Sequence, residues 1–165
     1  MDWALLIKFA HIIGTALGVG GATLGEIFYL KSERDGKVDP HENEALRTIF
    51  YMLRVGMVIL ILSGFGYLIL LRLEGHTAPL LGARVWAKLT IILILLFGVV
   101  AWHARKVPMW IGSAVSLASW YAALVIGAWR GLNSSYLTIM LYYLGAIVVF
   151  AIILQIIRWS LKVKA

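Results

Sequence analysis

The sequence predicts an all-α integral membrane fold: a bundle of five transmembrane helices, N-terminus outside and C-terminus cytoplasmic, in one domain over residues 1–165. Three observations predict it. The chain is 62% hydrophobic and only 14% charged, far from the roughly 45–50% and 25% of a soluble domain. Its apolar residues fall in five blocks, each long enough to cross a hydrocarbon core of about 30 Å. Its lysines and arginines are divided unequally between the two ends of those blocks, which sets orientation.

Helix 1 is expected over about 3–30. It lacks a basic leader segment and a small-residue cleavage site, so it reads as a retained helix. The hydrophilic stretch Lys31–Glu44 follows, and Asp39-Pro40-His41-Glu42 within it is a helix start. Asp39 can cap, Pro40 suits the first turn, and Glu42 completes a capping-box-like spacing. Helix 2 is placed at 40–71, beginning in water. Gly75 and Pro79 punctuate the next loop, and helix 3 is placed at 82–103. Pro108 opens helix 4 (108–130), and the short turn through Gly131 and Asn133 leads to helix 5 (135–161). Connections this short make neighbouring helices antiparallel.

One membrane face carries Lys31, Arg34, Lys37, Arg47, Arg105, Lys106, Arg158, Lys162 and Lys164. The other carries Arg72, Arg84 and Arg130, with Lys8 and Lys88 just inside the helices. The richer face is assigned to the cytoplasm. Trp3, Trp86 and Trp129 mark one interface and Trp102, Trp110 and Trp159 the other, whereas Trp120 falls mid-helix and is expected to pack between helices. The net charge of +7 thus follows from topology, and no nucleic-acid partner is expected. With no cysteine, thiolate metal sites and iron–sulfur clusters are excluded. P-loop, G-x-S-x-G, H-E-x-x-H and Rossmann motifs are absent from the sequence.

Helix 1 is the most informative segment. His11, Gly14, Gly18, Gly21 and Gly25 recur at spacings of three and four, so they form one stripe. Two readings stand. The glycines let a second helix approach closely, or they leave room for a flat macrocycle with His11 Nε2 on its iron. His11 lies about 12 Å of helix rise below Trp3, a depth at which an ionisable group is a functional candidate by default. A hydrogen bond to a neighbouring helix is its alternative role. Lys88 is expected at similar depth on helix 3, either snorkelling to the interface or contributing to the same site. Arg72, Arg84, Arg130 and His76 gather near the outer rim, where they suit anionic groups such as porphyrin propionates, and His76 is a candidate second axial ligand. Glu26 and Arg54 are expected at similar depths near the cytoplasmic side, as a buried ion pair or a proton relay. His103 lies at the opposite face from His11 and cannot share a metal with it.

Lys8-Phe9-Ala10-His11, followed by Gly14 and the pair Gly20-Gly21, resembles the first helix of a group of small membrane proteins. That group includes the membrane-bound protoporphyrinogen oxidase family and the copper-resistance D family. Trp86-Ala87-Lys88-Leu89 looks like the start of helix 3 in the former. The resemblance implies that His11 and Lys88 are the important polar residues and that haem b is the cofactor. It departs at Glu26–Lys31 and in having a fifth helix. The expectation is therefore a haem-b-binding membrane redox protein of a prokaryotic inner membrane, linked to a porphyrinogen or a quinone. A transporter or channel for copper or another small solute is the first alternative. A structural subunit of a homo-oligomer or membrane complex is the second.

Overall fold

The computed structural model describes residues 2–34, 39–103, 108–129 and 133–162. The side chains of Glu33, Arg34, Trp102, His103, Met109 and Lys162 are not among those described. Lys37, Arg105, Lys106, Arg130 and Lys164, and the side chains of Arg34, Trp102, His103 and Lys162, therefore lie outside the described residues.

Five helices follow one another: α1 (Trp3–Arg34), α2 (Pro40–Leu73), α3 (Ala83–His103), α4 (Met109–Ala128) and α5 (Tyr136–Lys162). All five are long and apolar enough to cross a membrane. A short 3-10 turn, Ala78–Leu81, precedes α3, where the sequence reading placed only a loop. Pro79 at its start supplies the fixed backbone angle such a turn favours. Helix α2 starts where expected: Glu42 accepts the Asp39 N–H at 3.2 Å across the first turn. It runs two residues further than predicted, to Leu73. Gly75, with φ of +76°, follows it, and the Glu74 N–H bonds the Leu70 carbonyl. A left-handed residue here costs glycine nothing and ends the helix.

The helices do not close into a ring. Helix α1 packs along most of its length on α2, and on its other side against α4. Helix α4 is central, touching α1, α3 and α5. Among the described residues, the α3 backbone makes no close approach to α1 or α2. The core has two parts. One joins all five helices through Ala22, Leu60, Leu95, Leu117, Trp120 and Leu154. The other joins α3, α4 and α5 through Ala87, Ile91, Ala118, Ile139 and Tyr143. Trp120 is only 1% exposed, in keeping with its mid-helix position, while Trp3, Trp86, Trp110, Trp129 and Trp159 are exposed near helix ends.

Candidate functional site: His11 and its surroundings

The α1 glycine stripe is an interface with α2. Its spacing of three and four is matched on α2 by Ile49, Leu53, Gly56, Leu60 and Ser63. The two stripes run antiparallel in register: Gly25 meets Ile49, Gly21 meets Leu53, Gly18 and Gly14 meet Gly56, and His11 meets Ser63. The approach is backbone to backbone. A Cβ at Gly14 would lie 2.7 Å from the Leu60 nitrogen and 3.0 Å from the Gly56 oxygen. One at Gly18 would fall within the Trp120 ring. Gly14, Gly18 and Gly21 therefore bind a helix and an indole, and the expected cradle for a flat macrocycle is closed. The packing alternative is what this structure adopts, because two facing small-residue stripes gain more van der Waals contact together than either does against lipid.

His11 stands at the end of this seam, half buried. Its Nδ1 lies 3.0 Å from Ser63 Oγ. Ser63 is itself buried, and its Oγ is 2.6 Å from the Ile59 carbonyl and 3.1 Å from that of Leu60. A hydroxyl has one proton to donate. Directed at either carbonyl, it leaves Ser63 Oγ to accept, so the proton between the two side chains belongs to His11 Nδ1. The neutral imidazole then carries its lone pair on Nε2, and the Leu60 backbone also bears on the ring. Fixing the tautomer through the far nitrogen is how proteins orient a ligating or proton-accepting histidine.

The nearest charge to bear on this ring is cationic. Lys88 of α3 lies within electrostatic range of His11, and Arg84 within range of Lys88. Lys88 is partly buried and makes no hydrogen bond or ion pair among the described residues. The α1 and α3 backbones make no close approach among the described residues, and α4 packs on both. Gly127 of α4, with open space around its Cα, lies near the same end of the bundle.

The remaining predicted residues are placed elsewhere. Arg84 donates to the Ile126 carbonyl at 2.9 Å, capping the last turn of α4 as a cation does at a helix C-terminus. Arg72 is exposed at the end of α2. His76 is 68% exposed and lies 3.6 Å from Glu74, in the loop rather than beside the His11 ring. Lys8 points its ammonium over the Tyr67 ring at 5.6 Å.

Glu26 does not pair with Arg54. Its Oε1 accepts from Arg158 of α5 at 3.0 Å, with both side chains about nine-tenths buried. The Arg158 guanidinium also lies over Tyr29 at 5.6 Å. In the α1–α2 register Arg54 adjoins Leu53, the partner of Gly21, and Glu26 is about 9 Å further along the axis. Similar distance from the membrane face does not make a pair: the α1–α2 register, fixed by Gly21 on Leu53 and Gly25 on Ile49, sets Arg54 at a different level from Glu26. The proper cue was α5, which runs parallel to α1 and carries Arg158 about as far from its start as Glu26 is from Trp3. Ser63 was also missed, although it lies on the 49-53-56-60-63 stripe that mirrors the glycine stripe.

Among the described residues no group of three or more His, Asp or Glu side chains could hold a metal on its own. His11 offers one nitrogen, enough for an axial position on a macrocycle that brings its own four ligands but not for a bare ion. For haem b, then, the donor atom fits and the glycine cradle does not. No protein-family model, curated protein or solved structure matches the chain.

Proposed function

We propose that the working site of this membrane protein is the His11–Lys88 pair, and that it takes an amphiphilic, carboxylate-bearing ligand from the lipid phase. The observation that carries this reading is the Ser63-directed tautomer of His11, with Lys88, a cation without an ion partner among the described residues, in electrostatic range of the ring. Haem b is the leading candidate. His11 Nε2 would bind its iron and Lys88 would meet a propionate. The ring would have to approach away from the glycine face, which is closed. When bound, such a group supplies one-electron chemistry, which suits exchange with a porphyrinogen or a quinone. The chain's own residues hold the imidazole, compensate the carboxylate and keep water out of the α1–α2 seam.

The lysine and arginine distribution supports an N-terminus outside and a C-terminus in the cytoplasm, as in a prokaryotic inner membrane. The polar groups favour a site over a conduit. Between the His11 end and the Glu26 end, the buried Trp120 ring fills the seam against Gly18. The α1 glycines are spent on α2 within the same chain, which removes one of the two features supporting a subunit-docking role, the other being the small-residue face of α4 at Gly112 and Gly127.

The test is the absorption spectrum of protein purified in mild detergent from haem-replete cells. A Soret band is expected, lost in His11→Ala and weakened in Lys88→Ala. A colourless wild-type preparation that also takes up no added haem contradicts the haem assignment. An unchanged band in His11→Ala contradicts the ligand atom.

A further inference from the structure

The outward face of α2 carries a second cationic feature that the site above does not use. Arg47, Tyr51 and Arg54 recur at spacings of four and three, so they share one helix face. All three are exposed, Tyr51 by 69%. Val58, Leu62, Phe65 and Ile69 continue the same face as an apolar strip. Apart from the turn before α3, α2 packs on α1 alone, so this face has no protein partner within the chain. Neither arginine makes an ion pair among the described residues. Glu44 lies on the same side one turn earlier and pairs with neither.

Depth decides what neutralises them. Arg54 is nine residues beyond Ser63, so it lies about 25 Å below the level of Trp3, close to the far edge of a 30 Å hydrocarbon core. Arg47 is about 10 Å further out, in the headgroup layer. Tyr51 lies between them, at the level where aromatic side chains line the interface. A guanidinium at the hydrocarbon edge reaches towards the headgroup layer, where an anionic group is its favoured partner. A symmetric second copy would bring arginine against arginine, since a two-fold interface matches each patch with itself. We propose that this face binds the phosphate of an anionic phospholipid, with Arg54 and Arg47 as forked donors, Tyr51 beside the headgroup and the apolar strip along the acyl chains.

The test compares delipidated protein in nanodiscs of phosphatidylcholine with and without phosphatidylglycerol, reading retained lipid by native mass spectrometry together with the thermal midpoint. Wild type is expected to retain one phosphatidylglycerol and to gain thermal stability from it. Arg54→Gln and Arg47→Gln should each lower retention about fivefold, and Arg54→Lys should keep part of it. Lys31→Gln, at an exposed cation of α1 near the same membrane face, should change nothing. Equal retention of both lipids, full retention in Arg54→Gln, or an equal loss in Lys31→Gln overturns the site. A stable dimer that Arg54→Gln dissociates overturns it in favour of a second copy.

Discussion

Helix α1 carries His11 towards one end and Glu26 towards the other, and the chain treats them oppositely. Glu26 is met by Arg158 at 3.0 Å, buried to the same degree, with Tyr29 covering the guanidinium. His11 is met by a hydroxyl that fixes its proton, and by Lys88, a cation with no ion partner among the described residues. The first arrangement is closed: its charges cancel and its helices, α1 and α5, are joined. The second is open: its charge is positive, its helices α1 and α3 stand apart, and a ring nitrogen is left with a lone pair. A polar group in a membrane that is fully compensated from within the chain explains itself by stability. One left uncompensated is what the proposed ligand site would require.

Perturbing the two ends should separate stability from ligand binding. The largest effect is expected at the closed end. Arg158→Ala leaves the Glu26 carboxylate buried without its partner and should cost about 3–5 kcal/mol, read as reversible unfolding in mixed micelles. Replacing both Glu26 and Arg158 by leucine should recover most of that loss, since an apolar pair has no charge to strand. Ligand content per folded molecule should stay unchanged in the double variant; a loss there would join the two sites and break the contrast. Next comes the seam. Gly14→Val places side-chain atoms against the Leu60 and Gly56 backbone and should cost about 1–3 kcal/mol or more by forcing α1 from α2. Valine at Gly20, where nothing lies within 4 Å, should be nearly silent in the same assay. Smaller than the Gly14 effect is that of Ser63→Ala, about 1 kcal/mol for the lost hydrogen bond. It should nevertheless lower ligand occupancy clearly, because the imidazole is then free to rotate and to change tautomer. Equal occupancy in Ser63→Ala would show that the hydroxyl only packs.

The membrane architecture was legible because it depends on runs of residues. Twenty apolar side chains in succession have one physical solution, and all five helix starts are predicted to within one residue of those observed, with Trp3 and Pro40 in place. The site was legible in part. His11 and Lys88 could be singled out because an ionisable side chain within an apolar block is costly and conspicuous. Their neighbours could not, because these are set by which helices touch and in what register. The glycine stripe fixes a face but not its occupant, and only Ile49, Leu53, Gly56, Leu60 and Ser63 on the facing helix show that α2 fills it. Glu26 likewise called for a cation, and the helix order selected Arg158 over Arg54.

The central claim is that Ser63 holds the proton of His11 on Nδ1 and leaves Nε2 as the reacting nitrogen. Solid-state nitrogen spectra of bilayer-embedded protein labelled in its histidine rings, with the His11 signals assigned by their disappearance in His11→Ala, test this directly. A protonated Nδ1 is predicted, with Nε2 bare in ligand-free protein and shifted once ligand is added. A proton on Nε2 that persists with ligand present would contradict the account.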